Sequence, residues 1–206
     1  MSDVIWKNCC GTVEVSQLIF YRGNKKMNTV KQLYDAAAVE KAIAQIAECI
    51  AIDFAGKPDG FALVGTQQMG VPLAEKLCAL LKEKGLKPDF GKLDITMYRD
   101  DFGTRDILPM INETRIPFDV NGKDIILVDD VLSSGRTIRA ALDALTDFGR
   151  PGMIRLAVLV DRGEPEFPIR ADYVGFEVSL PPERKVKVRF EDGCGSPAGI
   201  YDVKWQ

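Results

Sequence analysis

One run of residues constrains the fold more than any other: IILVDDVLSSGRTIRAAL, residues 125–142. Four consecutive aliphatic residues suit a strand buried on both faces, as in a parallel sheet covered by helices. Two carboxylates, Asp129 and Asp130, follow where that strand is expected to end, and then come a small-residue loop and a basic helix start. A strand, a tight loop and a helix in that order form a unit whose next strand runs parallel to the first.

The same alternation extends along the chain. Asp35 is a plausible N-cap for AAAVEKAIAQIAECIAI (36–52), where Val39, Ile43, Ile46 and Ile50 recur at helical spacing. FALVG (61–65) reads as a strand, VPLAEKLCALLKEKG (71–85) as an amphipathic helix stopped by Gly85, and KLDITMY (92–98) as the next strand. Residues 99–121 read as a long polar connection, followed by a strand at 124–128, a helix at 136–149 and a strand at 154–160. ADYVGFEV, KVKVRF and YDVKW are strand-like pieces with no helix between them. The expected fold is α/β, an open, mainly parallel sheet with helices on both faces and a short antiparallel or edge β extension near the C-terminus. Residues 1–27 show no clear period and are expected to be an N-terminal extension, ordered or disordered, outside a single domain at 28–206; Met27 is an alternative start.

Composition narrows the chemistry. The 206 residues contain no histidine, which removes imidazole bases, Ser-His-Asp and Cys-His nucleophiles and His-ligated zinc. The work is left to carboxylates, hydroxyls, Arg, Lys, backbone amides and a metal held by oxygen. A net charge of −3 provides no global field for polyanions. No apolar run is long enough for a membrane span, and the N-terminus lacks a signal-peptide layout. Five cysteines without a regular framework suit reduced thiols, so the expected location is the cytoplasm and no membrane partner is expected.

In an open α/β sheet the ligand sits beyond the carboxyl ends of the strands, which is where Asp129 and Asp130 are expected. Two adjacent carboxylates need a cation or the hydroxyls of a diol as partners. SSGRT directly after them supplies hydroxyls, a glycine and a run of amide N–H groups ending at a helix N-terminus, which together make an anion cradle. Ribose 5-phosphate carries both features. A Gly-Lys-Ser/Thr ending and a GxGxxG turn are both missing at this loop, which sets aside triphosphate P-loops and dinucleotide sites here. The plainer alternative is that the acids start a turn and Ser134 caps a helix.

The arrangement resembles the phosphoribosyl pyrophosphate (PRPP) motif of type I phosphoribosyltransferases. LDITMYRDD (93–101), IPFDVNGKDIILVDDVLSSGRTIRAALDAL (116–145) and LAVLVDRGEPEFPIRADYVG (156–175) sharpen this to a resemblance to the PyrR family, pyrimidine-operon attenuation regulators with uracil phosphoribosyltransferase activity, over roughly residues 30 to 205. The resemblance implies that PRPP and uracil are substrates, UMP is a product, Mg²⁺ is required and the chain forms a homodimer or higher oligomer. By matched position, Asp129 and Asp130 hold the ribose diol and, indirectly with PRPP, the metal. Ser133, Ser134, Gly135, Arg136 and Thr137 cradle the 5′-phosphate, and Val160, Asp161 and Arg162 cover the base. Thr66, Gln67, Gln68, Met69 and Gly70 form the pyrophosphate loop. Arg99 is counted with the catalytic residues, and residues 99–115, with Arg99, Arg105 and Arg115, make a candidate flap whose alternative is a plain surface loop. No residue is assigned as base for uracil N1.

Three departures stand out. The pyrophosphate loop reads GTQQMG (65–70) where the family pattern is like Gly-Ile-Lys-Thr-Arg-Gly. That removes charge-assisted bonds worth about 1.5 to 3 kcal/mol each. The first helix presents Glu40, Lys41, Ala44, Gln45 and Glu48 where the family has Arg, Thr and His on the surface implicated in RNA binding. Glu164-Pro165 stands in place of a His-Arg pair, leaving Arg170. Acids repel phosphates, so RNA binding is disfavoured. The loop change also leaves an alternative, a weakly catalytic or non-catalytic sensor of PRPP or UMP.

Overall fold

A computed structural model describes residues 30–100, 113–190 and 197–204; the extension at 1–27 and most of the candidate flap lie outside them. Five parallel strands form the main sheet: β2 (Phe61–Thr66), β3 (Asp89–Leu93), β4 (Asp124–Leu132), β5 (Met153–Asp161) and β6 (Tyr173–Glu177), in the order β3-β2-β4-β5-β6. Helices α1 (Ala36–Asp53) and α2 (Gly70–Glu83) cover one face and α3 (Arg136–Thr146) the other. The expected α/β architecture with both faces covered is the one observed.

Local chemistry explains several boundaries. The Asp35 carboxylate accepts from the Ala38 N–H at 2.8 Å and so caps α1, whose Val39, Ile43, Ile46 and Ile50 are buried as their spacing requires. Gly85, with φ of +83°, ends the turn after α2 in the left-handed region that glycine adopts without a Cβ penalty.

Elsewhere the structure differs from the sequence reading. The third strand ends at Leu93, and Thr96–Tyr98 forms a single 3₁₀ turn. The Asp94 carboxylate accepts from the Thr96 N–H at 2.7 Å and from its hydroxyl, a local bond that competes with the strand ladder. Tyr173–Glu177 is the parallel edge of the main sheet, reached from β5 without a helix; Ile169 and Ala171 of the connection fill space on the α3 face instead. The other two C-terminal pieces, β7 (Arg184–Arg189) and β8 (Gly199–Lys204), are antiparallel as expected, and β1 (Val30–Asp35), which the sequence reading did not mark as a strand, joins them in a second sheet of order β1-β8-β7.

Candidate active site

The site lies where β2 and β4 part company. Their ladder ends at the pair Gly65 and Val128, whereas β4 continues beside β5 through Asp129 and Val131 to Leu132. Since the chain runs from β2 to β3 at one edge and from β4 through β5 toward the opposite edge, this is the point at which strand order reverses, and a crevice opens at such a point in doubly wound sheets. Asp129 and Asp130 therefore sit inside β4, not after its end as the aliphatic run suggests, yet they still occupy the crevice.

Asp129 is 4% exposed and Asp130 half-buried. Burial pushes the Asp129 carboxyl up to about 8, the Asp130 charge adds to the rise, and a hydrogen bond from Thr66 opposes it. Asp130 is also raised, chiefly by burial. The two acids are held close in a dry place where their charges disfavour each other, so a cation or a pair of hydroxyl donors relieves the site.

The cradle is built from backbone. Gly135, with φ of +87°, stands at the N-cap of α3 with no acid in the first turn, and the Arg136 N–H donates only a long bond, 3.5 Å, to the Ser134 hydroxyl, which leaves these N–H groups open to an anion. The loop is fastened from behind, because the Ser134 carbonyl accepts from the N–H groups of Glu166 at 2.9 Å and Phe167 at 3.2 Å. The Leu132 carbonyl likewise accepts from the Arg162 N–H at 2.8 Å. Ser133, Ser134 and Thr137 are half-buried beside the loop. The Arg136 guanidinium is exposed and turned away, ion-paired with Asp100 and Glu166 at 2.6 Å each. What Arg136 offers the cradle in this arrangement is its amide.

The second loop, residues 65–70, is pinned at both ends. A Cβ on Gly65 would meet Val71 Cα at 2.7 Å, and one on Gly70 would meet the Thr66 hydroxyl and the Val128 carbonyl at 2.4 Å each. The Gln67 N–H donates to Leu93 O at 2.9 Å, and the Gln67–Gln68 peptide is cis. Gln68 is exposed, Gln67 and Met69 half-buried, and α2 begins directly after Met69 with no side-chain cap.

The base segment is divided. Val160 is fully buried in the core and laddered to Val131 on one side and Phe176 on the other; Asp161 is half-buried and accepts from the Gly163 N–H at 2.8 Å. Arg162 is 8% exposed, paired with Glu164 at 3.0 Å, and its Nε has no hydrogen-bond partner among the described residues. Arg99 follows the 3₁₀ turn and is half-buried, Arg115 is exposed and bonded through its backbone to Lys92, and Arg105 lies outside the described residues. The sequence reading placed Thr66 only in the loop; the structure also places its hydroxyl 2.6 Å from Asp129 Oδ1. The signal for it lies in the pairing of β2 with β4, which no local window contains.

Comparison with known proteins agrees with this geometry. The phosphoribosyl transferase domain family matches residues 29–190, so fold and site together define a phosphoribosyltransferase. The Bifunctional protein PyrR of a Roseiflexus species is 49% identical over 175 residues, covering 84% of this chain and 95% of that protein. That of Thermus thermophilus is 49% identical over 165 residues, covering 80% and 91%. The chain belongs to the PyrR family of phosphoribosyltransferases. The hypoxanthine phosphoribosyltransferase of Trypanosoma cruzi superposes with a TM-score of 0.65 at 18% identity over 85% of this chain and 97% of its own, a likeness of fold.

Proposed function

We propose that the chain transfers the phosphoribosyl group of PRPP to uracil, giving UMP and pyrophosphate. The observation that carries this reading is the acid pair at the strand-order switch point, followed within six residues by a backbone cradle at a helix N-terminus. Asp129 and Asp130 accept from the ribose hydroxyls. The amides from Ser133 to Thr137 take the 5′-phosphate, and the 66–70 loop with the start of α2 takes the pyrophosphate. Val160, Asp161 and Arg162 lie along the base, and Arg99 stands at the root of the flap. With both ends of PRPP fixed, the anomeric carbon is held for in-line displacement, so positioning and electrostatics supply the rate.

Among the described residues no three His, Cys, Asp or Glu side chains gather to hold a metal. Two carboxylates with raised proton affinity do fit an oxygen-seeking Mg²⁺ that arrives with PRPP, with Asp129 and Asp130 supplying the protein's share of its surroundings. When bound, it would draw negative charge onto the pyrophosphate leaving group. The intact acid pair and cradle favour turnover over a sensor without catalysis.

The reading places the domain at 28–206 with 1–27 as an extension, in the cytoplasm, as a homodimer or higher oligomer; no helix of the described residues is long and apolar enough to cross a membrane. RNA stays disfavoured. Glu40 and Glu48 of α1 are engaged by Lys76 of α2 and by Lys84 directly after it, so that face carries paired charges in place of free cations. Incubating the protein with PRPP, Mg²⁺ and a panel of nucleobases tests the function. UMP formation from uracil is expected; nucleotide formation from a purine alone, or from no base, would overturn it.

A further inference from the structure

GTQQMG carries no cation, but it adds a hydroxyl at its second position, where the pattern it departs from has an aliphatic residue. The register explains where that hydroxyl goes. Gly65 and Val128 are the last paired positions of β2 and β4, so the next residues along the two strands, Thr66 and Asp129, lie side by side. Thr66 is fully buried, and its Oγ1 lies 2.6 Å from Asp129 Oδ1 and 3.3 Å from the Val128 carbonyl. A threonine hydroxyl has one proton, and the shorter contact, with the carboxyl oxygen, takes it.

The space around this contact is closed. A Cβ at position 70 would sit 2.4 Å from Thr66 Oγ1, 2.4 Å from Val128 O and 3.1 Å from Asp129 Cα. The loop therefore folds back until the Gly70 backbone lies against the hydroxyl, and water has no room to replace Thr66 as donor. An ionised Asp129 without that donor would lose a hydrogen bond in a place where few groups can substitute for it.

We propose that Thr66 is a positioning residue that holds the Asp129 carboxylate in the orientation that accepts the ribose diol. The inference rests on the reading that the acid pair takes that diol. Both hydroxyls are present in PRPP, in the transition state and in UMP, so an interaction that only orients their acceptor is felt equally by all three. Its loss raises KM for PRPP and weakens UMP by a similar factor, while kcat and KM for uracil change less.

The discriminating measurement is calorimetry of wild type and Thr66→Val with UMP and with 2′,3′-dideoxyuridine 5′-monophosphate, alongside steady-state kinetics. Thr66→Val is expected to weaken UMP at least about tenfold, to leave the dideoxy nucleotide nearly unchanged and to raise KM for PRPP more than it lowers kcat. Thr66→Ser, which keeps the hydroxyl, is expected to return UMP affinity to within about threefold of wild type. Should Thr66→Val not fold, Thr66→Ala carries the same expectation. Equal losses on both nucleotides, or no loss on UMP, overturn the role of Thr66 while the diol assignment stands, provided wild type prefers UMP. A wild type that binds both nucleotides alike overturns the diol assignment and the inference with it.

Discussion

Two loops leave neighbouring strands of one sheet and are built to opposite plans. The cradle after β4 turns through a glycine at φ of +87° and exposes amides at the start of α3, with the Arg136 side chain drawn off to Asp100 and Glu166. The loop after β2 has glycines where neighbouring backbone leaves no room for a Cβ, at Gly65 and Gly70, and between them it offers neutral side chains. The difference teaches that the first loop presents backbone shape, which tolerates changes in side-chain charge. The second is a packed hinge pressed on the acid pair, where a single atom matters. That contrast can be attacked by substitution.

The largest effect is expected at Gly70. In Gly70→Ala the new methyl meets the Thr66 hydroxyl and the Val128 carbonyl at 2.4 Å, and the carbonyl belongs to the backbone of β4, so the strand must move. Overpacking of this kind costs about 1 to 3 kcal/mol. A displacement near 1 Å beside the reacting centre can cost on the order of a hundredfold in rate. A lower melting temperature together with a turnover loss of that order is the expected result, read by calorimetry and a UMP-formation assay. A variant with wild-type turnover would mean that the loop is slack.

The same contrast explains what could be read from the chain in advance. The cradle was legible because everything that makes it is contiguous: an aliphatic strand, a glycine, a helix start. Helix α1 was legible for the same reason, with Asp35 and its apolar period adjacent. The Thr66–Asp129 contact joins positions 63 residues apart, and it follows only from which strand lies beside which. Strand β1 escaped likewise, since VKQLYD has no strand neighbour nearby in sequence and finds its partner in β8 at the other end of the chain. In LDITMY the β-branched residues argued for a strand, and the Asp94 side chain decided for a turn. Acids inside a strand count against propensity, which is why the sequence reading ends that strand at 128 although β4 runs on to Leu132.

A middle-sized effect is expected from returning a cation to the second loop. Met69 is half-buried and directly precedes α2, and it belongs to neither core cluster, so an arginine there can reach outward without emptying the core. A charge-assisted contact made chiefly to the departing pyrophosphate is worth about 1.5 to 3 kcal/mol, or about one to two decades in rate. Met69→Arg is therefore expected to raise turnover with PRPP and uracil and to leave UMP affinity nearly unchanged, because UMP has no pyrophosphate. Kinetics and UMP titration on the same preparation check the separation. A folded variant with no gain in turnover would show that the backbone and neutral side chains of GTQQMG already suffice.

The smallest effect is expected where the cradle's charge is most conspicuous. Arg136 is held at the surface between Asp100 and Glu166, and its guanidinium also lies over the Phe167 ring, 5.5 Å from the centroid. Exposed ion pairs of this kind contribute little, because water screens them and ordering two long side chains costs entropy. If the cradle grips phosphate by its amides, Glu166→Gln removes one of Arg136's two acidic partners without touching the grip. The Glu166 N–H that supports Ser134 is backbone and survives the change. UMP affinity is then expected to move by less than about fivefold, the upper end for an exposed pair. A larger gain would mean that the freed guanidinium swings onto the phosphate, and a larger loss that the ion pair aligns the loop. Either result would make the cradle depend on side-chain charge and would collapse its contrast with the loop after β2.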